Sequence, residues 1–429
     1  MRDMARRERG VAGTAGKVGQ GGCADQFIMP VQDERAAGAE LLPLSLSSHA
    51  SAATGRSWSG FSCWQSVIST QVRRNGTRSI LQRHRSRCSC RSVTSMTRLL
   101  LVAAVVLAMA CDVSAAAKLD AATVNNAQFD DSDAKGVSAT VLKAQILLDR
   151  ARFSPGLIDG RAAENFAKAV QAFQAANGLP AYGKLTRETW DRLAAASPSP
   201  VLETYELTRK DVRGPFTRRI PARMERMARL RRLGYHNAAE KIAERFHVSQ
   251  QLLQRLNPGV GFRKAGQKVL VPAVTRGDPP AGVTDVEVDK GARQLRVRDP
   301  SGKVLAVYPA SIGSQEKPAP SGQAEVKRVV HNPTYHYDPD FAFKGVRTKR
   351  PFTIAAGPNN PVGSVWIDLS IESYGIHGTP DPSKIGKTFS HGCIRLTNWD
   401  AEDLASEVHE GTKVIFTGEP VGSITQGSP

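Results

Sequence analysis

Val283-Thr284-Asp285-Val286-Glu287-Val288 and Gln294-Leu295-Arg296-Val297-Arg298 set apolar and polar residues in alternation. Successive side chains of a strand point to opposite faces, so each run reads as a half-buried strand. Residues 304–311 form a third apolar run, separated from the second by the turn sequence Asp299-Pro300-Ser301-Gly302. Pro318-Ala319-Pro320-Ser321-Gly322 and Gly357-Pro358-Asn359-Asn360-Pro361-Val362-Gly363 break the chain again. Short strands between Gly/Pro turns predict a mainly β domain over residues 283–418, a sandwich or partly closed barrel. A short helix is expected from near Asn398 through Leu404, and residues 419–429 read as a tail.

Working toward the N-terminus, the period changes from two to 3.6. Val141, Leu142, Ile146 and Leu147 fall on one helical face after Ser138, and the run stops at Ser154-Pro155-Gly156. A second helix carries Phe166, Val170 and Phe173; a third follows Thr186 as N-cap, with Trp190 and Leu193 behind it. Residues 138–196 therefore read as a small three-helix bundle, and 118–137 as a polar linker before it. Ser197-Pro198-Ser199-Pro200 marks the next boundary. Residues 197–274 then combine a basic linker with a small module. Ten Lys/Arg stand against two acids in 209–232, which suits a solvated helical face or docking onto an anionic polymer or membrane. Beyond it Ile242 and Phe246, then Leu252, Leu253 and Leu256 behind Ser249, indicate two short helices, and residues 266–272 a closing strand. The expected fold class is a multidomain α+β protein.

The chain has 429 residues and a formal charge of +18, with 41% hydrophobic and 23% charged residues. Such a basic balance suits nucleic acid, an anionic membrane or an acidic polymer. No zinc-finger spacing, homeodomain pattern or aromatic RNA-binding signature supports the first, so no nucleic-acid partner is expected. Residues 96–117 open with Met96-Thr97-Arg98, continue through an apolar run and end in small residues, which describes a secretory signal peptide. The run is shorter than the ~20 residues a membrane span needs, so no stable span is expected in the mature form. Residues 1–95, with fourteen Lys/Arg, six Asp/Glu and no sustained periodicity, read as an over-extended start or a disordered leader. Five of the six cysteines lie at or before position 111. The exported chain would keep one thiol, Cys393, in an oxidising compartment where a lone cysteine is a liability unless it works. Lipidation at Cys111 is the alternative to cleavage after Ala115.

Two further stretches carry chemistry: Gly375-Ile376-His377-Gly378-Thr379 and Ser390-His391-Gly392-Cys393-Ile394-Arg395-Leu396. A thiol attacks as thiolate, and an imidazole can take its proton. Gly392 permits close approach of a substrate, and amides of such a turn can donate to an oxyanion. His377 and His391 both qualify as the base on residue type and spacing alone. A zinc site from His377, His391 and Cys393 lacks a second cysteine or a His-x-x-x-His pair, so no metal is expected.

The two stretches resemble the HGT and SHGC(I/V)R(L/M) signature of the YkuD-type L,D-transpeptidases, without substitution. Asn332-Pro333-Thr334-Tyr335 and residues 357–363 extend the similarity over roughly 283–418. The resemblance implies Cys393 as nucleophile and His377 as general base, with the Gly378 carbonyl orienting the imidazole. It implies that Ser390, His391 and Gly392 shape the turn and that amides near Cys393 form the oxyanion hole. Arg395 would bind a substrate carboxylate or serve as an internal strut. Residues 138–196 resemble the peptidoglycan-binding-like domain, through residues 156–160 and 169–174, Asn177-Gly178-Leu179-Pro180 and Thr189-Trp190. Residues 242–246, 256–259 and 266–271 resemble the LysM module, whose first strand would be 205–208, displaced by the basic insertion; it would bind glycan or act as a spacer.

Together these resemblances imply a cell-wall enzyme, secreted to the periplasm or wall and needing no cofactor, whose partners are peptidoglycan stem peptides, glycan strands and a wall lipoprotein. It would form a Cys thioester with a stem tetrapeptide, release D-Ala and pass the acyl group to an amine. The alternatives are a hydrolase using the same thiol and a catalytically silent wall-binding scaffold.

Overall fold

The computed structural model describes residues 119–131, 135–314, 317–339, 346, 348–388, 390 and 392–418. The leader 1–95, the signal segment 96–117, His391 and the tail from 419 lie outside the described residues. Among the described residues no helix is long and apolar enough to cross a membrane.

Four helices begin the described chain: α1 (Ala121–Asn125), α2 (Ala139–Arg150), α3 (Glu164–Ala176) and α4 (Arg187–Ala196). Ser138 and Thr186 cap α2 and α4 by accepting from the amides three residues on, as their side chains predict. Helix α1 falls in the stretch read as a linker. Asp120 caps it, Val124 is fully buried, and Asn125 Oδ1 accepts from the amides of Val201 and Leu202. A polar composition concealed one buried valine and one amide side chain that together order the segment. Asp159-Gly160 is a structural turn, held by Gln145 Oε1 accepting from both amides at 3.1 and 2.7 Å.

Next, β1 (Leu202–Glu206) pairs antiparallel with β2 (Lys268–Pro272). The first strand thus starts three residues before the 205–208 expected and overlaps it at Tyr205 and Glu206. Between them stand α5 (Arg209–Arg213), α6 (Met224–Met227), α7 (Ala238–Arg245) and α8 (Gln250–Leu256). The basic run is not one solvated helix. Ile220, Met224, Met227 and Leu230 pack on the core of the β domain, and Leu233 is fully buried there with its amide donating to Ala356 O at 3.0 Å. The arginines between them stay exposed.

The β domain is built from β3 (Asp285–Asp289), β4 (Gln294–Arg298), β5 (Val304–Pro309), β6 (Ser311–Ile312), β7 (Gly322–His331), β10 (Val365–Leu369), β11 (Gly375–His377), β12 (Ile394–Arg395) and β13 (Lys413–Thr417). A small hairpin, β8 (Tyr335–Tyr337) with β9 (Phe352–Ile354), stands apart from that sheet. The nine strands run in the order β5-β4-β3-β13-β7-β10-β11-β12-β6. Its two end strands are consecutive in the chain with only Ala310 between them, so the sheet must curl until its edges nearly meet. One apolar run, 304–311, thereby serves both ends. Helix α9 (Asn398–Glu407), capped by Thr397, covers the sheet.

The bundle and the β domain share a backbone contact and a buried ion network. Ser154 N donates to Val307 O and Val307 N to Arg152 O. Arg276 bonds Asp149 (2.6 Å) in α2 and Asp403 in α9, with Asp400 at 3.4 Å; Arg152 reaches Asp403 and Glu407. Asn165 of α3 donates to Ile385 O at 2.9 Å, in the loop that joins the two motif stretches.

Candidate active site

Parallel pairing of β11 with β12 sets Ile376 opposite Ile394 and His377 opposite Arg395. Paired residues of a parallel ladder share a face, which puts His377 and Arg395 on the same side, and Cys393 stands in the bend just ahead of β12, two residues before Arg395. The electrostatics agree: Arg395 acts on Cys393, His377 and Tyr335. Ile376, Ile394 and Leu396 are buried on alternate positions and lock the strands in register.

His377 is only 3% exposed. Its ring stacks on Trp366, the cross-strand partner on β10, with centroids 5.6 Å apart and planes at 21°. Nδ1 lies 2.7 Å from Gly378 O. A carbonyl only accepts, so Nδ1 carries the proton and Nε2 bears the lone pair. Burial first, and the Arg395 guanidinium next, push the imidazole down to about 3 against the opposing pull of the Gly378 bond. The ring is therefore neutral at physiological pH, a proton acceptor through Nε2.

Cys393 is buried, 8% exposed, and its Sγ lies 3.9 Å from Ser373 O. Ser373 has φ +54°, an uncommon conformation for a residue with a side chain. Gly392, at φ +137°, takes a conformation that favours glycine. Its amide donates to Ser390 Oγ at 3.2 Å, while Ser390 N donates to Gly313 O, so Ser390 ties the turn to β6. Arg395 is partly buried. Burial lowers its guanidinium, while Cys393 and then Tyr335 act to raise it. The attraction is mutual, so the same charge favours a thiolate at Cys393. Burial, Tyr337 and Cys393 hold the Tyr335 phenol well above its ordinary value, with Arg395 opposing.

Sequence reasoning did not assign roles to Trp366, Ser373 or Asn398. Asn398 was read only as the start of a helix. Its Oδ1 accepts from Ser364 N (3.1 Å) and Thr379 N (3.0 Å), joining the 357–363 loop to the His377 loop. A Cβ on Gly363 or on Gly378 would stand 2.1 Å from that oxygen, which explains glycine at both positions. No local pattern marks such a residue, because its four partners come from distant segments.

Comparison with known proteins follows this geometry. Residues 284–416 match the model of the YkuD family, described as an L,D-transpeptidase catalytic domain. Over 180 residues the chain is 32% identical to the protein named "Putative L,D-transpeptidase YkuD" of Bacillus licheniformis, covering 42% of this chain and 92% of that relative. The chain belongs to the YkuD family of L,D-transpeptidases. The protein of that name in Bacillus subtilis is 31% identical over 176 residues, 41% of this chain and 90% of the relative. Residues 137–193 of this L,D-transpeptidase match the model described as "Putative peptidoglycan binding domain". Among solved structures, L,D-transpeptidase 3 from Mycobacterium tuberculosis aligns with a TM-score of 0.27 and 17% identity, over 36% of this chain and 76% of that one.

Proposed function

We propose that this L,D-transpeptidase acylates Cys393 with a peptidoglycan stem tetrapeptide and passes the acyl group to an amine. What supports the reading is the β11–β12 register, which sets His377 opposite Arg395, together with the electrostatic interaction of Arg395 with both His377 and Cys393. The thiol proton passes to His377 Nε2 as sulfur attacks the carbonyl that joins the third stem residue to terminal D-Ala. The tetrahedral oxyanion is met by amides of the 390–393 turn, that of Cys393 foremost, since the Gly392 amide is engaged by Ser390. Collapse breaks the C–N bond, the imidazolium returns its proton to the departing amine of D-Ala, and a thioester remains. An acceptor amine then attacks the thioester, His377 Nε2 takes its proton, and the C–S bond breaks to return the Cys393 thiol, giving a 3→3 cross-link or attachment of a wall lipoprotein. Arg395 stabilises the thiolate and would meet a substrate carboxylate or serve as an internal strut. A neutral, buried imidazole fits transfer concerted with attack better than a standing thiolate–imidazolium pair.

The bundle and the LysM-like segment would hold the enzyme on wall polymer outside the cytoplasm, raising local substrate concentration. Incubation with labelled tetrapeptide stems, read by mass spectrometry, tests the reading. Cross-linked dimers and free D-Ala support it. Tripeptide alone marks a hydrolase, and no turnover with retained wall binding marks a scaffold.

A further inference from the structure

Asn398 is held from a second side by a residue outside the β domain. Its Nδ2 donates to Glu244 Oε1 (2.5 Å) on α7 and to Pro358 O (3.1 Å). With Ser364 N and Thr379 N on its oxygen, both donors and both acceptor sites of the amide are filled. The Thr379 amide follows Gly378, whose carbonyl fixes the His377 ring. A continuous path of hydrogen bonds and one peptide unit thus runs from α7 to the imidazole. We propose that Glu244, a residue of the LysM-like segment, is a positioning residue of the active site, acting through Asn398 on the Gly378–Thr379 turn that orients His377. The proposal deepens the functional reading above and rests on it.

The surroundings give this contact a chemical signature. Glu240 on the same helix, Glu402 on α9 and Tyr235 ahead of α7 act on Glu244, and Asp381 shares with it a cavity of about 250 Å³ that Trp399 also lines. Glu240 is itself bonded to His236 and Asn359, and Glu402 accepts from Ser364 Oγ at 2.6 Å. No cation is among the groups that set the acidity of Glu244; burial, and then Glu240 and Glu402 against the Asn398 bond, push it up to about 8. At neutral pH the side chain is mostly the uncharged acid, which still offers a carbonyl oxygen to Asn398 Nδ2. Ionisation would set a third carboxylate beside Glu240 and Asp381 around that cavity and strengthen the acceptor that Asn398 Nδ2 meets, so the grip of Glu244 on Asn398 changes with its charge. The LysM-like segment would therefore act on the catalytic loop, beyond any part in wall binding.

The test uses the full chain as wild type, Glu244→Gln and Glu244→Ala, with acylation of Cys393 by a carbapenem followed by intact mass from about pH 6 to about pH 9. Removing the acceptor in Glu244→Ala leaves a buried donor unmet and is expected to slow acylation about ten- to a hundredfold. Glu244→Gln keeps the carbonyl but cannot ionise, so it should lie within about twofold of wild type at about pH 6 and diverge from it increasingly above about pH 8. The ratio of these two cancels the titration of Cys393. A ratio that stays constant with pH, or Glu244→Ala equal to wild type, overturns the proposal. Amide resonances of Ser364 and Thr379, followed by NMR without substrate, give a second readout. They should titrate near pH 8 in wild type and stay flat in Glu244→Gln; flat wild-type resonances contradict the proposal. If wild type is not acylated at all, the functional reading fails, while the amide titration still decides this one.

Discussion

His377 stands directly opposite Arg395 in the parallel β11–β12 pair, a histidine facing an arginine while its Nδ1 is held by the Gly378 carbonyl. The arrangement disfavours imidazolium and favours thiolate, which suits a base that must hold its proton only briefly.

Replacing Arg395 by Met removes the charge that lowers His377 and stabilises the Cys393 thiolate. The rate of iodoacetamide alkylation against pH should shift toward higher pH, by about one unit for ~1.4 kcal/mol of lost attraction. Wild type should show no inflection at the ordinary imidazole value near 6.5, because its ring sits at about 3. An unchanged profile in Arg395→Met would leave Arg395 as a strut only.

Gly363→Ala places a methyl 2.1 Å from Asn398 Oδ1 at a residue with φ +67°. Overpacking and backbone strain should together cost about 3 kcal/mol. Thermal unfolding would show a Tm lower by roughly 6–12 °C, with acylation of Cys393 slowed in parallel. A variant as stable as wild type would show that the loop adapts and that Asn398 does not grip it.

Arg276→Met removes the guanidinium that Asp149, Asp400 and Asp403 share between the bundle and the β domain. Breaking one side of a buried network typically costs about 3–5 kcal/mol. Calorimetry should report a large fall in Tm, or separation of one transition into two. An unaltered single transition would mean that the modules are held by apolar contact alone.

The acidity of Glu244 also has a stability consequence whose sign is definite. The unfolded chain releases this proton near 4.5 and the folded protein near 8, so between those values the native state binds more protons. Stability conferred by wild-type Glu244 relative to Gln therefore falls as pH rises through that window and is level outside it. The Tm difference between wild type and Glu244→Gln, measured from about pH 4 to about pH 9, should follow that course. A difference that grows in favour of wild type with rising pH would reverse the assignment.

What the sequence made legible follows from local physics. Alternation exposed β3 and β4, and Ser138, Thr186 and Ser249 announced helix starts because an N-cap needs only its own next turn. The pairing of Cys393 with His377 came from a motif, since nothing in its spacing distinguished His377 from His391. Closure of the sheet through Ala310 was not readable, because it depends on which strands pair at long range. The contacts of Arg276 with Asp149 and Asp403 each span 127 residues, and no window holds both partners. Asn398 and Glu244 escaped for the same reason at 154 residues.

The central claim is a covalent one, at Cys393. Intact-mass and peptide mapping of the folded chain after brief exposure to a stem tetrapeptide or a carbapenem tests it most directly. The expected result is a single adduct on Cys393, released D-Ala with the peptide, and no adduct in Cys393→Ala. Folded protein that gains no mass, or an adduct that persists in Cys393→Ala, would contradict it.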